Sequence, residues 1–121
     1  RKKRLTMFSK PVPQFRSQIR YTKVENMSNR MGKPVVNQFI IHQTEGYIKR
    51  TIFQSYKSII AMKVDNGDTF QIYLDNDTWD YSSTTGRYRN VFLGEDIHET
   101  RKKIKNKDYL LVDLNNDYPL N

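Results

Sequence analysis

The sequence predicts a single α+β domain: an antiparallel β-meander of four to six strands, one or two short helices near the C-terminus, and a basic, extended N-terminal arm. Three observations lead there. Two runs rich in β-branched and aromatic residues, Ser58–Val64 and Phe70–Leu74, flank Asp65-Asn66-Gly67, a turn signal that supplies the positive φ of a tight loop. A second pair of such runs flanks Thr44-Glu45-Gly46, while helical spacing with capping residues is confined to the chain after Trp79. A length of 121 residues allows one core and one domain. The division expected is an arm over residues 1–33 and a compact domain over 34–121.

Arg1 to Pro13 contains RKKR, Phe8, Pro11 and Pro13, with no helical period and little to build a core. From Phe15 to Val24, Phe15, Ile19 and Tyr21 alternate with Arg16, Gln18, Arg20 and Thr22, as in a strand with one basic face, and Glu25 to Lys33 reads as loop. Val35 to Phe53 predicts a hairpin closed by a three-residue loop ending at Gly46. For the central hairpin, a three-residue loop at Asp65-Asn66-Gly67 would set Met62 against Phe70 and Ile60 against Ile72. That register gathers Ile60, Met62, Phe70, Ile72 and Leu74 on one face.

Asp75-Asn76-Asp77 is turn material, and Trp79 and Tyr81 are apolar anchors for the end of the core. Ser82 or Ser83 caps a helix in which Thr84, Tyr88 and Phe92 recur four apart beside Val91, and Gly94 stops it. A second helix is expected from Glu95 to Asn106. Ile97, Arg101 and Ile104 share one face there, Glu99 precedes Lys103 by one turn, and acids lead while bases trail. Tyr109 to Leu114 is a closing strand, and Asn115 to Asn121 has little reason to be ordered.

Charge is the main functional signal. Residues 1–33 hold ten Lys/Arg against one acid, Glu25, while residues 34–121 hold eleven against twelve, so all of the net +8 resides in the arm. An extended basic arm neutralises phosphates without needing a fixed fold, because each contact releases counterions. The residues expected to contact nucleic acid are Arg1, Lys2, Lys3, Arg4, Lys10, Arg16 and Arg20, with Arg87 and Arg89 extending the surface. Phe8, Phe15 and Tyr21 interleave with these bases and could stack on nucleobases. The competing surface for a protein partner consists of Tyr47, Tyr56 and Tyr73 with Asp75 and Asp77.

Catalysis finds no support. The chain has no cysteine, and its two histidines, His42 and His98, fall on different elements with no nucleophile motif nearby. The Asp75, Asp77, Asp80 spacing opens like a calcium loop, but Trp79 occupies a ligand position and no later bidentate Glu follows. Neither metal nor cofactor is expected. No apolar run reaches the ~20 residues that a membrane span requires, so membrane association is not expected and a soluble protein is.

The segments NQFII at Asn37, FQSYKSIIA at Phe53 and WDYSSTTGRYRNVFLGE at Trp79 resemble small proteins encoded by phages and prophages of gut and lactic bacteria. The resemblance covers roughly residues 37–114 and excludes the arm. It implies a context, the bacterial host cytoplasm or the virion, and carries no assigned catalytic residue. The function expected is that of a non-catalytic phage accessory protein binding DNA or RNA. The alternatives are a protein-binding inhibitor of a nucleic-acid-dependent host enzyme or defence nuclease, and a small virion or assembly component.

Overall fold

The computed structural model describes residues 20–116. In chain order these form β1 (Arg20–Ser28), β2 (Pro34–Glu45), β3 (Ile48–Ser55), β4 (Ser58–Asp65), β5 (Phe70–Asp75), α1 (Ser83–Leu93), α2 (Ile97–Lys105) and β6 (Tyr109–Val112). The strands make one six-stranded sheet in sequence order. β1 to β5 are antiparallel neighbours, whereas β6 runs parallel to β5. A parallel return needs a long crossover, and α1 and α2 supply it. The fold is thus a five-stranded meander completed by a helical crossover. The arm residues Arg1, Lys2, Lys3, Arg4, Lys10 and Arg16 lie outside the described residues.

Four sequence expectations are corrected. The first strand occupies Arg20–Ser28, so Glu25 to Ser28, expected as loop, belong to the sheet. Met27 is buried in the core, and Asn26 Nδ2 donates to the Val35 carbonyl at 2.8 Å, which holds this end of β1 against β2. The sheet therefore begins well before Pro34. In the β2–β3 hairpin, Glu45 pairs with Ile48, leaving a two-residue loop whose first residue, Gly46, has φ 63. Positive φ at that position suits a tight hairpin turn.

The central hairpin departs further. Asp65 pairs with Phe70, Lys63 with Ile72 and Ala61 with Leu74, so the loop is Asn66–Thr69. The Asn66 side chain sets its length by accepting from Asp68 N at 3.0 Å, Thr69 N at 2.8 Å and Thr69 Oγ1 at 3.1 Å. The expected single apolar face does not form, because both faces of this hairpin are used. Phe53, Ile60, Ala61 and Leu74 pack under Tyr88 and Phe92 of α1, while Ile52 and Met62 are buried on the opposite face with Leu114. An irregularity where Ile60 has no partner between Phe53 and Gln54 brings Ile60 and Ala61 into the same cluster. Phe70, expected inside, is exposed.

The fourth correction concerns the ends of the helical region. Ser82 caps α1 by accepting from Thr85 N at 3.1 Å, and Gly94 closes it with φ 72, as expected. The buried face, however, is Thr85, Tyr88, Arg89 and Phe92, and Val91 is exposed. α2 begins after Asp96, whose carboxylate accepts from Glu99 N at 3.0 Å. Lys103 bonds Glu95 at 2.7 Å instead of Glu99. β6 ends at Val112, and the chain beyond it is held: Asn115 accepts from Ile59 N at 2.8 Å and donates to the Ile59 carbonyl at 3.0 Å.

Candidate nucleic-acid interface

A concavity of about 800 Å³ lies between the β1–β2 loop and α1. Local chemistry builds both walls. In the loop, Asn29 Oδ1 accepts from Met31 N at 2.9 Å and Lys33 N at 3.0 Å, and Gly32 takes φ 78. This Asx-type closure pushes Arg30 and Met31 to the tip. On α1, Arg87 and Val91 stand one turn apart and form the other wall, with Tyr88 as the floor. Met31 is 80% and Val91 61% exposed, so the groove offers an apolar lining between two guanidinium groups. No acid lines it, and neither Arg30 nor Arg87 has an ion-pair partner among the described residues. The arrangement can take an anionic group at its rim and an apolar or aromatic surface at its floor.

A family of unknown function, DUF8033, matches residues 22–109. The chain belongs to that family. No curated protein and no solved structure matches it. The DUF8033 match runs from within β1 to the start of β6, so both walls of the groove fall inside it, whereas residues 1–21 do not.

The remaining predicted residues of this DUF8033 chain are dispersed. Arg20 pairs with Glu45 at 2.8 Å at the far end of β1. Arg89 is corrected: it is 1% exposed and cannot meet phosphate. Its guanidinium donates to the Trp79 carbonyl at 2.8 Å, Asp80 Oδ1 at 3.1 Å and Asn90 Oδ1 at 3.0 Å. A Cβ at Gly86 would stand 3.6 Å from the guanidinium, an ordinary contact, so the pocket does not depend on the glycine.

The protein-partner set does not assemble. Tyr47 lies in the β2–β3 loop and Tyr56 in the β3–β4 loop, at opposite ends of the sheet, while Tyr73 packs on the face away from the helices. Tyr56 has φ 56, held by its N–H donating to the Asn37 carbonyl at 2.7 Å and its own carbonyl accepting from Gln54 Nε2 at 2.7 Å. Asp77 is exposed, but Asp75 is corrected, being buried and accepting from Leu114 N at 2.8 Å, Thr78 N at 2.9 Å, Thr78 Oγ1 at 2.9 Å and Asp77 N at 3.1 Å. Burial pushes its pKa up, but these hydrogen bonds outweigh it and hold the carboxyl below its ordinary value. Asp65 and Asp68 sit at the other end of β5, so the acids form no single cluster. Among the described residues no group of three or more metal-ligating side chains gathers.

A second concavity, about 460 Å³, lies over β4 and β5 beside α2. Three of its four charged side chains, Lys63, Glu95 and Lys103, are already engaged. Glu95 accepts from Lys103 Nζ at 2.7 Å, Thr100 Oγ1 at 2.7 Å and the Tyr109 hydroxyl at 2.9 Å. Burial raises the Glu95 pKa, but these three donors prevail and hold it below its ordinary value. Burial and then the neighbouring carboxylate push the Tyr109 phenol up to about 12. Lys63 donates to the Phe92 carbonyl at 2.8 Å, with its Nζ 4.4 Å from the centre of the Phe92 ring, and burial lowers its pKa. These groups tie the crossover to the sheet.

Proposed function

We propose that the protein binds nucleic acid without catalysing a reaction, through phosphate contacts made by the basic residues 1–20 and by the groove between the β1–β2 loop and α1. The observation that carries this reading is the pair of exposed arginines, Arg30 and Arg87, flanking an apolar groove that no acid lines. A guanidinium without an internal carboxylate partner is free to form bidentate contacts with phosphate. The apolar floor suits the face of an unstacked base. Several other basic side chains in the described sheet and helices are less available: Arg20, Arg50, Arg101, Lys102 and Lys103 have acidic partners. The resemblance to phage-encoded proteins supports a role on phage or host nucleic acid in a bacterial cytoplasm or a virion. The protein-inhibitor reading draws less support, since Tyr47 and Tyr56 lie at opposite ends of the sheet and Asp75 is buried.

The test is fluorescence anisotropy with labelled single- and double-stranded DNA and RNA, comparing the full chain with R30Q/R87Q. The wild type is expected to bind with a steep salt dependence. The double variant is expected to lower the log–log slope by up to about 1.8, two contacts at about 0.9 each for duplex DNA. Unchanged affinity and slope in R30Q/R87Q would remove the groove from the interface. No binding by the wild type would remove the reading altogether.

A further inference from the structure

β1 is a nine-residue strand whose one strand neighbour among the described residues is β2. Among the described residues no strand pairs with its other edge, and an edge of this kind is a template for another strand. The side chains along it are exposed except Met27, and Tyr21 and Val24 are exposed apolar groups at 56% and 58%. From this edge the geometry points to a homodimer in which β1 pairs antiparallel with β1 of a second copy, about a two-fold axis through Val24, to give a continuous twelve-stranded sheet.

Symmetry and charge both select that register. A two-fold perpendicular to the sheet preserves its faces, and directly opposed residues of antiparallel strands share a face, so the axis must pass through a residue and not between two. An axis at Lys23 or Glu25 would oppose like charges. An axis at Val24 opposes Lys23 to the partner's Glu25 twice over, and Val24 to its own copy. Val24 is also the midpoint of Arg20–Ser28, so this register pairs all nine residues. Maximal strand overlap and charge complementarity therefore coincide. Glu25 is prepared for the contact: its hydrogen bond with His42 at 2.7 Å, and then the nearby Lys23, hold its carboxyl below the ordinary pKa and keep it charged.

The same register has a consequence for binding, which rests on the nucleic-acid reading while the strand pairing does not. Within one copy Arg20 and Ser28 lie at opposite ends of the strand, about 26 Å apart at 3.3 Å per residue. Across the dimer they are direct neighbours, about 5 Å apart. Arg20 of one copy thus stands beside Ser28 at the edge of the other copy's groove, and adds its positive charge there.

The chain contains no cysteine, so single-cysteine variants of the full chain report the register directly. V24C should give a disulfide-linked dimer under mild oxidation, since opposed Cα atoms at about 4.5–5.5 Å meet the geometry of the bond. T22C and N26C should not, their copies being about 13 Å apart along the strand. In sedimentation equilibrium, K23E and E25K should each weaken dimerisation about tenfold, and K23E/E25K should restore it. A wild-type chain that stays monomeric, V24C cross-linking no faster than T22C, or failure of the double swap to rescue would each overturn the dimer. None of these measurements involves nucleic acid, so their outcome is independent of the binding test.

Discussion

Replacing Asp75 with alanine should destabilise the fold by about 3 kcal/mol. Its carboxylate is buried and accepts four hydrogen bonds, from Leu114 N, Thr78 N, Thr78 Oγ1 and Asp77 N, all between 2.8 and 3.1 Å. These join three separate pieces: the end of β5, the turn toward α1, and the segment after β6 that carries Leu114 onto the second core. Truncation strands the buried Leu114 N–H, which costs about 1–3 kcal/mol, and removes charge-assisted bonds worth about 1.5–3 kcal/mol each when counted singly. The sum is not additive, and about 3 kcal/mol is a conservative total. For a domain of this size it corresponds to a fall in Tm of about 10–20 °C. Urea and thermal unfolding followed by circular dichroism measure it. The pH dependence gives a second reading. The folded pKa of Asp75 is depressed, so its contribution is present above the unfolded carboxyl pKa and is lost as pH falls through the lower, folded value. The gap between wild type and D75A should therefore narrow in acid. A D75A protein within about 0.5 kcal/mol of wild type at neutral pH would refute the reasoning and return Asp75 to the surface as a partner contact.

Other predictions separate structural from interface charges. R89A should cost about 3 kcal/mol, since it empties a buried site and takes this donor from the part-buried Trp79 and Asn90 oxygens and from Asp80, whereas R87A should stay within about 0.5 kcal/mol of wild type by urea titration. Arg87 and not Arg89 should alter the salt slope of nucleic-acid binding. E95Q should lower the pKa of Tyr109 from about 12 toward the ordinary tyrosine value, read by ultraviolet difference titration, because the carboxylate that disfavours phenolate is gone. An unchanged Tyr109 titration in E95Q would leave burial as the sole cause.

Much of the architecture was legible because it rests on local chemistry. Ser82 and Gly94 cap α1 where capping preferences put them, and turn glycines separate runs of strand formers. What escaped depends on contacts distant in sequence. The register of the central hairpin was read from a one-sided apolar pattern, but Ile60, Ala61 and Met62 serve two cores on opposite faces, so alternation carried no register information. Asn66 lengthened the loop through its side chain, a choice invisible when only glycine φ is considered. The parallel return of β6 follows from the two helices before it, once they are read as a crossover and not as an appendage.

For the candidate site, the charge bias of the arm was plain, but the groove was not. Arg30 and Met31 fell in a stretch read as loop, and only the Asn29 closure brings them opposite Arg87 and Val91. Arg87 and Arg89 looked equivalent in Arg-Tyr-Arg. A helix turns 100° per residue, so the two point apart, and Asp80 with the Trp79 carbonyl holds Arg89 inward. Asp75 and Asp77 looked equivalent for the same reason, yet the segment holding Leu114 covers only the first.

The most direct test of the central claim is the affinity of the full chain for nucleic acid across a salt series. Log affinity should fall linearly with log salt, with a slope steeper than about −4 on duplex DNA, as expected if at least five of the basic residues at the N-terminus and in the groove contact phosphate. Binding that is indifferent to salt, or no binding at physiological ionic strength, would contradict it and direct attention to a protein partner.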